Sequence, residues 1–172
     1  MQKSPKKGRD SMQNKNENNF LILKRFCGNE KYTVKNPEWY IGKGDGTWDD
    51  PDMLCLEIEF GKAVEKHEDT AWYEGEPSWE IYFTTLQLTE KDLQPRFSME
   101  LENEEEEEEE EEEAWFLYAD RQPTYDNKVE VLDVNGDNLL LHVTAKTQDV
   151  NYYDGSKPLN ELDVTAWFTK QV

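Results

Sequence analysis

The chain reads as a mainly β protein, an antiparallel β-sandwich or open barrel of about seven strands, and three observations point there. Alternating apolar and polar residues recur along it. The plainest run is Met53 to Phe60, where Leu54, Leu56, Ile58 and Phe60 share one face and Cys55, Glu57 and Glu59 the other. Asn135-Gly136 stands between KVEVLDV and DNLLLHVTAK, a strong short-range hairpin signal because both turn residues tolerate φ > 0. No amphipathic helix of three turns is present, and short strands separated by turn residues favour an all-β architecture. The alternative on the same residues is an α+β fold with one short helix.

The hairpin predicts a register. A two-residue Asn135-Gly136 loop sets Val134 opposite Asp137, Leu132 opposite Leu139, Val131 opposite Leu140 and Glu130 opposite Leu141. Both faces then carry apolar side chains, so the pair needs cover from other strands.

Taken in order, residues 1–19 are polar and lysine-bearing with almost nothing apolar, which predicts a disordered tail; Met12 is an alternative start. The remaining 20–172 form one β-rich domain. Phe20 to Phe26 reads as the first strand, ended by Gly28-Asn29, with a short piece at Tyr32 to Val34. Asn36 to Asp52, punctuated by Pro37, Gly42, Gly44, Gly46 and Pro51, reads as a long loop. Trp79 to Leu88 is a strand whose apolar phase changes, which predicts a bulge near Thr84-Thr85 or burial on both faces. Thr89 caps one helical turn that Pro95 stops. A Glu-rich loop insertion occupies about 100–113, and Ala114 to Ala119 leaves it as a strand. Val150 to Asn160 is a turn region and Leu162 to Thr169 the last strand.

Charge narrows the function classes. The net charge of the 172 residues is -20, of which ten are the run Glu104 to Glu113, while the first nineteen residues carry five basic against two acidic side chains. The folded part is therefore acidic in its own right. Such a surface favours a basic protein partner and repels nucleic acid and anionic membranes. No apolar stretch approaches the roughly eighteen residues that span a bilayer, and no apolar segment follows the N-terminal charges, so the expected location is cytoplasmic. Cys27 and Cys55 read as buried free thiols.

The chemistry of catalysis is sparse, and the expectation is a protein that is not an enzyme and needs no cofactor. No nucleophile elbow is present, and Gly42 to Thr47 matches neither phosphate-binding glycine motif. His142 reads as a hydrogen-bonded sheet residue and His67, within EKHED, as a solvated one. Asp133, Asn135 and Asp137 open like a calcium loop but lack its glycine and its final glutamate. Asp45, Asp49, Asp50 and Asp52 offer only a weak oxygen cluster, so no metal site is assigned. The aromatics are more informative: Trp39, Tyr40, Trp48, Trp72, Tyr73, Tyr152 and Tyr153 all fall in predicted loops or strand ends and are the candidate partner-binding residues. The expected function is an acidic binding protein that docks a basic partner, for instance an immunity-type inhibitor of a toxin or nuclease. A chaperone for basic proteins such as histones and a carbohydrate-binding sandwich are the alternatives.

Overall fold

A computed structural model describes residues 19–101 and 113–172; the predicted tail and most of the predicted insertion lie outside the described residues. The chain is mainly β and antiparallel, as expected, with nine strands among the described residues where about seven were expected. These are β1 (Phe20–Arg25), β2 (Gly28–Gly42), β3 (Asp52–Glu65), β4 (Ser78–Thr85), β5 (Ser98–Leu101), β6 (Ala114–Leu117), β7 (Arg121–Asn135), β8 (Asn138–Thr147) and β9 (Asn160–Lys170). Eight of them close a ring, β1-β2-β3-β4-β6-β7-β8-β9, and β5 pairs with β7 beyond β6. The only helical pieces among the described residues are two 3-10 turns, Glu68–Thr70 and Glu90–Asp92. The second carries the expected Thr89 cap as a capping box with Asp92.

Closure follows from the alternation. Most inward positions are apolar and buried, among them Leu21 and Leu23, Leu54 to Phe60 at every second residue, Trp79, Ile81 and Phe83, and Val164, Ala166 and Phe168, while β1, β2 and β7 also bury Arg25, Glu30 and Asn127. Eight strands enclose a space that side chains just fill, and this interior is filled by Trp79, Tyr32, Phe60, Phe83, Phe116 and Phe168 among others. Edges vanish where the ring closes, which removes the template for strand addition.

Three local expectations are corrected. Residues 36–42 are strand rather than loop: β2 passes through Pro37 with register shifts at 31/32, 32/34 and 35/38, so the chain bends without leaving the sheet. The hairpin turn is Gly136-Asp137, not Asn135-Gly136. Asn135 pairs with Asn138, and Gly136 at φ 63 takes the first central position, the place a type II′ turn reserves for glycine. A bulge at Leu132 then pairs Val131 with Leu141 and Glu130 with His142, so Val129, Val131, Leu139, Leu141 and Val143 all point inward. No bulge interrupts β4 either; Thr85 still pairs with Asp52, and the phase change is the end of the strand.

Leu101 pairs with Asn127 and Trp115 with Pro123, so β5 and β6 lie one after the other along β7, and the register of β7 breaks between Tyr125 and Lys128, with Asp126 at φ 50. The insertion therefore interrupts a single strand line.

Candidate functional site: an acidic aromatic wall

Strand register brings together side chains that lie far apart in the chain. Glu38 pairs with Glu57, and Glu57 with Glu80, so three glutamates lie side by side across β2, β3 and β4. The neighbouring row on the same face is Tyr40, Cys55 and Tyr82, because Tyr40 pairs with Cys55 and Cys55 with Tyr82. Trp115 of β6 pairs with Glu80 and meets Tyr82 edge to face at 5.4 Å between ring centroids. Trp39 and Leu54 point inward, which sends this whole set to the outside of the barrel.

The row is electrostatically uphill. Directly opposed like charges on a sheet face are destabilising by roughly 0.2–1 kcal/mol per pair. Among the described residues, none of Glu38, Glu57 and Glu80 forms an ion pair; Glu38 accepts from the Gln171 amide at 3.2 Å and Glu80 from the Tyr82 hydroxyl at 3.3 Å. All three are half-buried. The aromatic row is half-buried too, and burial pushes the Tyr40 and Tyr82 hydroxyls up from their ordinary pKa. One guanidinium already lies on this wall, with Arg121 stacked 4.0 Å above the Trp115 ring.

The opposite wall, β5-β7-β8-β9-β1, is built on the contrary principle. Glu100 pairs with Lys128, Lys146 and Lys24 both pair with Glu161, and Glu130 pairs with His142. Lys24 lies 3.4 Å from Asp163, Lys128 3.5 Å from Glu100 and Lys146 3.2 Å from Asp126. His142, the expected hydrogen-bonded sheet residue, meets Asp163 at 2.9 Å and its pKa is raised by that bond. A depression of about 430 Å³ lies among these lysines, but each of the three faces a carboxylate of the same lining.

The predicted partner-binding aromatics divide into four places. Tyr40 is on the acidic wall. Trp39 is 2% exposed, and its indole donates to the Asp137 carbonyl at 2.9 Å, so it seals one end of the barrel. Trp48, 70% exposed, stands in the β2–β3 loop at that end. Trp72, Tyr73, Tyr152 and Tyr153 gather at the other end, where Tyr73 is buried against Tyr118 at 3.9 Å, Trp72 donates to Asn151 at 3.1 Å and Tyr152 meets the exposed Phe26 at 5.7 Å. Cations of the chain itself already cover this rim: Lys157 lies over Phe26 and Tyr152, and Lys66 over Tyr73.

Beneath the rim lies a polar cluster that the sequence concealed. Arg25, the last residue of β1, turns inward with its side chain fully buried. Its Nε and Nη2 donate to Asp149 at 3.0 Å each, its Nη1 and Nη2 to Asp69 at 2.7 and 2.9 Å, and Nη1 lies 3.5 Å from Glu30. Glu30 in turn accepts from the hydroxyls of Thr70, Tyr32 and Tyr118 at 2.7, 3.2 and 3.2 Å. Burial works against the Arg25 charge, yet its bonds to Asp69 and Asp149 keep its pKa raised, and Arg25 holds the Asp69 carboxyl down at about 2. His67 is not merely solvated: it precedes the first 3-10 turn, and its Nδ1 lies 2.9 Å from the Asp69 carboxylate, to which it donates.

The aspartate loop is committed elsewhere. Asp45 accepts from Thr47, while buried Asp52 accepts from Lys43 and from the amides of Gly44 and Leu88, which tie the two loops of that barrel end together. These bonds, Lys43 foremost, hold the Asp52 carboxyl near a pKa of about 2. A carboxyl depressed in the folded state contributes stability above its unfolded value and loses it as pH falls through the folded one. Asp52→Asn should therefore flatten the wild-type decline in urea midpoint between about pH 4 and pH 2; an unchanged slope would mean that Asp52 does not couple these loops.

Of the site residues, Glu57 lies on the polar face of the plainest strand, but its cross-strand neighbours depend on the irregular register of β2. Tyr82 and Trp115 were within legible strands, with nothing local to mark them. Among the described residues no helix is long and apolar enough to cross a membrane. Compared with family models, curated proteins and solved structures, the chain matches none, so the functional reading rests on its own geometry.

Proposed function

We propose that the chain is a non-enzymatic cytoplasmic binding protein that docks a basic protein partner on the outer wall of β2, β3, β4 and β6. The observation that carries this reading is the in-register row Glu38, Glu57 and Glu80, flanked by Tyr40, Tyr82 and Trp115. A partner's lysine or arginine set between the carboxylates relieves the like-charge cost and meets aromatic faces that favour cations. The rim at the barrel end is the weaker candidate, since lysines of the same chain already occupy its rings. Free Cys27 and Cys55 support a reducing compartment. An immunity-type inhibitor of a basic toxin or nuclease is one form of this function. A carbohydrate-binding sandwich with Trp48 or Trp72 as a platform is the alternative; successive loops of a meander place the two at opposite ends, so only one of them would serve a given site.

The row makes a two-sided prediction. Glu57→Gln removes both like-charge contacts and should stabilise the chain by about 0.5 kcal/mol at low salt, an increment that shrinks as salt rises. Urea unfolding measures it. The same substitution, combined with Glu38→Gln and Glu80→Gln, should abolish capture of a specific basic protein from the source lysate and weaken the reconstituted complex at least tenfold. Capture that survives the triple variant, or that ignores salt, would overturn the reading.

A further inference from the structure

The barrel end holds three side chains of the kinds that ligate a thiophilic divalent cation, and they come from two turns. Cys27 lies in the two-residue connection between β1 and β2, and His67 and Asp69 lie at the first 3-10 turn. One ligating atom from each lies within 4.8 Å of the others. All three are partly buried, so an ion arriving from solvent keeps a fourth position for water.

The surroundings hold this geometry in place. Gly28 follows Cys27 at φ 141, a backbone setting that other residues resist, and a Cβ there would lie 3.8 Å from the His67 ring, which therefore packs against the β1–β2 connection. Asp69 is oriented by two bonds from Arg25. Three of its four lone-pair directions are used by Arg25 and His67, so a metal bond does not require Arg25 to let go. Charge gives the second, independent argument. Glu30, Asp69 and Asp149 surround one guanidinium, two of the carboxylates with no exposed side-chain surface, and a divalent cation at the edge of the cluster offsets their excess.

We propose that Cys27, His67 and Asp69 form a binding site for a zinc-class divalent cation, distinct from the acidic wall and independent of what docks there. Thiolate, imidazole and carboxylate together suit zinc or cobalt better than calcium or magnesium, which want oxygen alone. Binding is balanced by one proton: the Cys27 thiol releases it to solvent as the sulfur–metal bond forms, and His67 ligates through a nitrogen lone pair.

Titration of the full chain with Co²⁺ alone tests this. The expected result is one equivalent bound with a near-ultraviolet thiolate-to-cobalt absorption, displaced by Zn²⁺, and about one proton released per ion at neutral pH. Cys27→Ser should remove the absorption, and Cys27→Ser or His67→Asn should each weaken Zn²⁺ binding at least tenfold; Cys55→Ser should leave both readouts intact. Circular dichroism and urea midpoints without metal confirm that each variant folds. If Cys27→Ser fails to fold, cobalt absorption and proton release in wild type, with loss of affinity in His67→Asn, decide the matter. Absence of the thiolate band, its survival in Cys27→Ser, or Zn²⁺ affinity unchanged in both variants would overturn the proposal; carboxylates of the Glu-rich run bind cations without that band.

Discussion

Replacing Arg25 by alanine is expected to cost about 3–5 kcal/mol of unfolding free energy at neutral pH, because it strands buried carboxylates without their partner. The guanidinium uses both Nη groups and Nε on three acids drawn from the β2 strand, the first 3-10 turn and the β8–β9 connection, up to 124 positions away. Water cannot replace it, since the side chains of Glu30 and Asp149 are fully buried. Arg25→Lys keeps the charge but offers three donors on one atom, so it should fall between wild type and alanine. The double variant Arg25→Met with Asp149→Leu should lose less than Arg25→Ala alone, because it removes one of the two fully buried carboxylates that alanine strands, leaving only Glu30 buried without its cation. Acid gives an independent reading. Asp69 titrates near a pKa of about 2 in the folded chain and higher when unfolded, so its contribution is complete above about pH 4 and is lost as pH falls through 2. The urea midpoints of wild type and Arg25→Ala should therefore converge on acidification. A loss under about 1 kcal/mol at pH 7, or curves that stay parallel to pH 2, would show the cluster to be a packing detail rather than a tie between elements.

What could be read beforehand follows from the range of the forces involved. Strand alternation is local, so Met53 to Phe60 and Leu162 to Thr169 were recognisable as half-buried strands and lie within β3 and β9. Turn chemistry is local as well, yet it left a one-residue ambiguity. Gly136 satisfies either of two adjacent turns, and only the bulge at Leu132, which keeps Val131 facing the core with Leu141, settles which one closes the barrel. Residues 36–42 misled because Pro37 and Gly42 normally break strands. Here the register shifts beside Pro37 absorb them, and β2 turns from β1 toward a parallel pairing with β9 at Glu38 and Trp39. The acidic wall and the Arg25 cluster are non-local in the strict sense. A glutamate at position 57 is unremarkable until the sheet places Glu38 on one side and Glu80 on the other. Arginine at the end of an apolar run reads as a solvated terminus until the carboxylates that surround it arrive from distant turns.

Trp79→Ala carries the other large expected effect, about 3–5 kcal/mol, and it connects the filled interior to the outer wall. Trp79 is fully buried and pairs with Ile58 on one side and Phe116 on the other, so its removal opens a cavity near the start of β4, where that strand is held between β3 and β6. Its neighbours along the strand are Ser78 and Glu80, which point outward. Loss of the anchor should let β4 shift against β3 and carry Glu80 and Tyr82 out of line with Glu57 and Cys55. Affinity for the basic partner would then fall although no contact residue has changed. Trp79→Phe provides the control. Among the described residues Trp79 Nε1 has no hydrogen-bond partner in its buried position, so phenylalanine surrenders some packing but also removes an unsatisfied donor, and should cost much less than alanine. Urea unfolding gives the stability order, and salt-dependent binding of the reconstituted partner gives the functional one. If the alanine variant, held well below its unfolding transition, bound the partner as wild type does, the alignment of the wall would not depend on the core, and recognition would have to be assigned to loops that the core does not position.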